Sequence, residues 1–180
     1  MSNKLYYHFV NETLRDGRPI PQDGVWLIHE GEVVPCDRGL HASEHPFDAL
    51  KYAPGGTLCL VRLDGFIAEH GNPVDKVAAE RRLIIKRIDA TNLLRRFAAD
   101  QALNVAHLWN MPAVVREYLE TLDTNKREAA WEAAMEAAMG AAMGAAWEAA
   151  MEAAMGAAMG AAMGAAREEF KKRCDAALGI

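Results

Sequence analysis

The residues of this chain best suited to chemistry are His8, His41, Ser43, Tyr52 and Glu80. His8 lies in the aromatic run Tyr6-Tyr7-His8-Phe9, His41 and Ser43 in Gly39-Leu40-His41-Ala42-Ser43, and Tyr52 closes Ala49-Leu50-Lys51-Tyr52. Glu80 follows two alanines and precedes Arg81 and Arg82. A carboxylate and ring-bearing side chains around one cleft suit cleavage of a nucleotide glycosidic bond. The carboxylate stabilises the positive charge that develops on the ribose, and the rings clamp the departing base. Plainer roles exist for each. His8 can be a strand histidine bound to a carbonyl, Tyr52 a cover for the sheet, and Glu80 a solvated partner of Arg81 or Arg82. His41 and His45 stand four apart with Cys36 nearby, a zinc-like spacing without a fourth clear ligand, so no metal is expected.

Strands and turns must position these groups. Leu5–Val10 is aromatic and β-branched, as a strand prefers. The stretch 15–24 holds two prolines and two glycines and reads as a loop. Gly24–His29 and Glu32–Pro35 predict a hairpin turning at Glu30-Gly31. A short strand at 39–43 leads into a helix over Pro46–Tyr52, which Pro54-Gly55-Gly56 stops. Thr57–Asp64 and Leu83–Ile88 are the clearest buried strands. Beyond Asp89, a suitable helix cap, the apolar spacing turns helical through Leu108. Asn110-Met111-Pro112 interrupts it, a second helix covers Ala113–Leu122, and Asp123 or Thr124 caps a third.

That third helix carries a repeat. The sequence WEAAMEAAMGAAMGAA occupies 131–146 and recurs unchanged at 147–162. Its four-residue unit is a large residue, Glu or Gly, then two alanines, a composition that favours helix. Four residues advance about 400° around an ideal helix, so the large residues drift by about 40° per unit. One flat face cannot bury such a stripe over 131–166. A partner helix following a right-handed path, a hairpin, or partly bare methionines would satisfy it. The glycines at 140, 144, 156, 160 and 164 suit close helix packing, so self-association through 131–166 is an expectation.

The expected fold class is therefore α+β. A small, mainly antiparallel domain spans 1–89, a helical connector 90–122, and the repeat helix 123–180. The net charge of −5 makes nucleic acid an unlikely partner, although Arg81, Arg82, Lys86, Arg87, Arg95 and Arg96 form a local basic cluster. Cys36, Cys59 and Cys174 show no CxxC pair and read as reduced thiols of a cytoplasmic protein. The opening MSNKLYYHFV carries no apolar run, and the uncharged stretch 137–147 is too short to span a bilayer, so neither signal peptide nor membrane partner is expected.

Over residues 4–89 the order of these motifs resembles the ADP-ribosyltransferase superfamily, in its His-Tyr-Glu branch, which includes poly(ADP-ribose) polymerases and RNA 2′-phosphotransferases. The resemblance implies NAD as cofactor, with His8 on the adenosine ribose, His41 and Tyr52 at the two ring-stacking positions, and Glu80 as the catalytic glutamate. Ser43 and Arg38 would lie near the pocket mouth. Two positions depart from the pattern. Histidine replaces the first stacking tyrosine, and Glu80 has no second acid beside it. The whole chain also resembles a group of uncharacterised phage and prophage proteins with alanine-rich tails. That resemblance implies a host factor as partner and the host cytoplasm as location. Three functions follow as expectations: NAD or ADP-ribose binding or transfer, a non-enzymatic interaction module or anti-CRISPR-like inhibitor of host defence, and nucleic-acid binding through residues 81–96.

Overall fold

The computed structural model describes residues 4–14, 17–142 and 163–180. The chain divides into two compact units, Met1–Thr91 with Glu169–Ile180, and Asn92–Glu168. The chain thus leaves the first unit, forms the second, and contributes its last dozen residues to the first again.

The first unit is built on a long hairpin. Strands β4 (Thr57–His70) and β5 (Lys76–Asp89) pair antiparallel along their length, with Leu58, Cys59 and Val61 wholly buried. Strand β1 (Leu5–Val10) pairs with β4. On the other edge of β5 lie β2 (Trp26–Ile28) and β3 (Leu40–Ala42), both antiparallel to it. Just past β3, Ser43 exchanges backbone hydrogen bonds with Tyr7 of β1, at 2.8 and 2.9 Å. Hydrogen bonding therefore runs from β1 to β4, β5, β3 and back to β1, and the sheet curls closed on itself.

Residues opposite one another in register share a face. Tyr6, Val10, Cys59, Val61, Leu63 and Ile84 line the inner face, joined by Ala42, Val77 and Ala79. The outer face is covered by helix α1 (Pro46–Leu50) and by the last helix from Glu169 onward. Phe170, Cys174 and Leu178 recur every fourth residue, so they fall on one side of that helix, and all three are fully buried. The rings of Phe170 and Phe47 meet edge-to-face, 5.9 Å between centroids. Tyr7 donates its hydroxyl to Asp175, and Lys171 donates to both. Burial first, and then the bond to Asp175, push the Tyr7 phenol up to about 12.

The sequence expectations hold for β1, for residues 17–24 of the loop before β2 and for the start of α1, while residues 15 and 16 of that loop lie outside the described residues. They fall short for the hairpin, whose strands each run to 14 residues. Two bulges, at Leu60/Val61 and Asp64/Ile67, shift the alternation and hide the continuity. The expected pairing of 24–29 with 32–35 does not form. Trp26–Ile28 pairs with β5 instead, and Val34 bridges to Arg38. A free edge of a long buried strand offers more hydrogen bonds than a marginal local hairpin.

In the second unit, α2 (Thr91–Asn104) starts where Asp89 Oδ1 accepts from the Thr91 amide, at 2.9 Å. Arg96 donates to Asp100 and to the last carbonyls of α3 (Ala113–Thr121), those of Leu119 and Glu120. Cations suit that end of a helix. Leu122 closes α3 in the left-handed region at φ 56°, and Asp123 caps the turn into α4 (Arg127–Ala142). Helix α4 buries Ala130 and leaves Trp131 68 % and Met135 46 % exposed. Within 131–137 the alanines pack and the large residues face out. The repeat is helical over 131–142 and 163–166, and residues 143–162 lie outside the described residues. Among the described residues no helix is long and apolar enough to cross a membrane.

The thiols are unequal. Burial raises Cys59 to about 11 and Cys174 to about 12, whereas Cys36 is exposed. A thiol reagent at pH 8 should label Cys36 quickly and the other two only on unfolding. Rapid labelling of all three in the folded protein would contradict the buried positions of Cys59 and Cys174.

Candidate functional site

Two cationic or basic side chains stand among the apolar residues of the inner face. His8 is opposite Cys59, and Arg82 is opposite Leu63 and Leu27. Arg82 is 4 % exposed, and its Nη1 donates to the His41 carbonyl of β3 at 2.6 Å. Among the described residues no carboxylate pairs with it. Burial lowers the Arg82 guanidinium to about 10, opposed only by the Cys59 thiol. Burial likewise holds the His8 imidazole well below its ordinary 6.5, and Arg82 and His41 push it further the same way. His8 is therefore a neutral ring at pH 7, placed near a buried permanent cation.

His41 lies on β3 opposite Ala78, so alternation turns its ring away from the inner face. Its Nε2 accepts the Cys36 amide at 3.2 Å. Ser43 is buried and holds β1 through Tyr7, one residue from His8. Tyr52 is exposed at the end of the first helix. Its hydroxyl donates to Asp75 at 3.0 Å, and Lys76 Nζ sits 3.9 Å from its ring centroid. Burial first, and then the bond to Asp75, raise the Tyr52 phenol, and Lys51 opposes them. The fold thus brings His8 and Ser43 to where β1 and β3 meet, while the His41 ring faces the other side of β3 toward Cys36, and Tyr52 is exposed at the end of the first helix. Arg38 is exposed and pairs with Asp37.

Glu80 is placed differently. It stands at the second bulge of the hairpin, where its carboxylate accepts the Phe66 amide at 3.1 Å. It is not among the groups that act on His8. Gly65, at φ 79°, brings its backbone against this carboxylate, and a Cβ there would stand 2.3 Å from Glu80 Oε2. We expect Glu80→Ala to cost about 1 kcal/mol by urea denaturation, and Glu80→Gln, which keeps an acceptor, to recover most of it. Equal losses for the two variants would refute this bulge-bracing role.

The basic cluster expected over 81–96 is dispersed by the fold. Arg81 pairs with Asp64 at 2.6 Å and lies over Trp26, and Lys86 donates to the Leu178 carbonyl. Arg87 holds Asp23 and the Pro21 carbonyl, and Arg96 ties helices of the second unit. Arg82 is the buried member, and the run of basic residues in the sequence does not single it out. Its parity with Ile84, two residues on, was the available signal.

The family model described as a domain of unknown function (DUF7666) matches residues 4–96, about half of the chain. The chain belongs to the DUF7666 family. The matched span contains β1 to β5 and every residue of the inner-face site, so the DUF7666 domain is the part that carries it. No curated protein and no solved structure matches the chain.

Proposed function

We propose that the DUF7666 domain of this protein binds an NAD- or ADP-ribose-type nucleotide at the junction of β1, β3 and β5. The observation that carries this reading is Arg82, a buried guanidinium with no carboxylate partner among the described residues, beside the neutral ring of His8. An isolated buried charge is costly, and a fold that retains one gains most when an anionic ligand completes it. Ser43 fixes the strand that bears His8, and the exposed ring of Tyr52 stands at the end of the first helix. Binding without turnover suits the site better than transfer, because the Glu80 carboxylate already serves the Phe66 amide. The host factor and the cytoplasmic setting belong to the same proposal.

The test is the melting temperature of the full chain with NAD or ADP-ribose. Ligand at about ten times Kd should add about 1.4 kcal/mol, a rise of a few degrees. No shift at millimolar ligand would refute the reading. Release of nicotinamide from NAD, abolished by Glu80→Gln with binding spared, would convert it into a transferase.

A second reading rests on the second unit. Trp131 and Met135 are exposed beside an apolar groove lined by Val115, Tyr118 and Leu119. We propose that this face joins two copies of the chain. Trp131→Ala should then lower the oligomeric state in sedimentation, and an unchanged state would exclude this contact.

A further inference from the structure

The helix that covers the outer face of the sheet reaches it from far along the chain, because Asn92–Glu168 folds as a unit of its own in between. Register sets the seat of that helix. Tyr7, Leu60 and Lys86 stand side by side on the outer face, with Phe9, Leu58 and Ile88 in the next row. Three kinds of contact read the helix. Phe170, Cys174 and Leu178 are buried on the seat, and Phe170 stands edge-on to Phe47 of α1. One step round the helix, Asp175 accepts the Tyr7 hydroxyl, and Lys171 Nζ donates to the same oxygen at 3.2 Å. At the far end, Lys86 Nζ donates to the Leu178 carbonyl at 2.7 Å. The last carbonyls of a helix lack intrahelical partners and favour a cation, so Lys86 recognises an end as well as a face.

The seat and the helix also differ in where they come from. Tyr7, Phe47, Leu58, Leu60 and Lys86 all lie within the DUF7666 span, and residues 169–180 lie outside it. The family's domain therefore carries the docking face, and the helix is supplied from elsewhere in the chain.

We infer that the outer face of the DUF7666 domain is a docking site for an amphipathic helix, and that it accepts the 169–180 helix of a second copy of this chain in place of its own. A second copy offers the same apolar row, the same Lys171 and Asp175 for Tyr7, and the same terminal carbonyl for Lys86. No short loop ties the resident helix to its seat, since the whole second unit separates them. Exchange of an identical element between copies is a low-cost route to assembly. A domain whose own helix has left exposes an apolar face, and burial of that face favours capture of the partner's helix. The site lies on the opposite side of the sheet from His8 and Arg82, and it stands without the nucleotide reading or the contact on α4.

The test uses full-length chains carrying Trp131→Ala, so that the contact on α4 adds nothing, and a fluorescent peptide of residues 163–180 as the probe. The resident helix competes with the peptide, so apparent affinity follows the fraction of open seats. Asp175→Ala in the chain removes the partner of Tyr7 and Lys171 without opening a large cavity, and should tighten peptide binding about tenfold. Phe170→Ala in the chain should tighten it further, and the same substitution in the peptide should abolish binding. If the Phe170→Ala chain is unfolded alone, the peptide should restore its β-sheet circular dichroism. Equal peptide affinity for all the chains, no binding to any, or no restoration overturns the docking site. Energy transfer between chains labelled with donor and acceptor at the exposed Cys36 tests the second copy. Transfer should appear as the chains are concentrated and vanish with excess unlabelled peptide. Peptide binding without peptide-sensitive transfer supports the docking site and rejects a second copy as the source of its helix.

Discussion

Phe170→Ala should destabilise the first unit by about 3–5 kcal/mol, a large part of the 5–15 kcal/mol that holds a typical domain together. Phe170 is wholly buried with Cys174 and Leu178, and its ring meets Phe47 edge-to-face. Truncation therefore leaves a cavity and removes an aromatic pair worth about 0.5–1.5 kcal/mol. Trp131→Ala is the internal contrast. It removes a larger side chain from a 68 % exposed position and should change stability by less than about 0.5 kcal/mol in the monomer. Urea denaturation followed by β-sheet circular dichroism measures both. A loss below 1 kcal/mol for Phe170→Ala would mean that residues 169–180 are not part of the sheet domain. For the same reason, removal of the tail from residue 169 onward should unfold the domain, whereas excision of one 16-residue repeat leaves the Phe170, Cys174 and Leu178 contacts available.

Stability should also fall as pH drops below 6.5, through His8. In the unfolded chain the imidazole takes a proton near its ordinary 6.5. In the folded protein it stays neutral well below that, because burial first, and then Arg82 and His41, oppose the charge. Below 6.5 the unfolded state binds more protons, so unfolding is favoured increasingly as pH falls. The slope is about 1.4 kcal/mol per pH unit for one proton, until the native ring protonates too. Above 6.5 this contribution is fully present and flat. His8→Leu should remove the slope, with the carboxylate-dependent losses at lower pH left in place. Parallel stability curves for wild type and His8→Leu between pH 5 and 7 would show that His8 is not held neutral by the fold.

The sequence was informative where local chemistry decides structure. Aromatic and β-branched composition marks β1, Pro46 and Gly55-Gly56 bracket the short helix, and Asp89 marks the start of α2. Long-range pairing was less legible. The bulge at Gly65-Phe66 broke the alternation of β4 and β5, so two 14-residue strands read as shorter ones. Closure of the sheet depends on one bridge between Tyr7 and Ser43, which no local pattern announces. The tail looked like continued repeat, yet the change from Ala-Met-Gly to EEFKKRCDAAL sets Phe170, Cys174 and Leu178 four apart and signals a helix with its own core. At the site, the sequence singled out His8 and Ser43, which lie where β1 meets β3, His41, whose ring faces the other side of β3, and Glu80, which serves a bulge. Arg82 was hidden because basic residues in a run are usually solvated, and only its register reveals an inward one.

The central claim is that the inner face of the DUF7666 domain takes a nucleotide beside His8 and Arg82. The chain has six histidines, at 8, 29, 41, 45, 70 and 107, few enough to follow individually by their ring carbon-bound protons in NMR. Titration with ADP-ribose should move the His8 resonance, and then that of His41, in step with a single saturable binding curve, while His107 in the second unit stays in place. An unmoved His8 at saturating ligand, or shifts confined to the other histidines, would contradict the account.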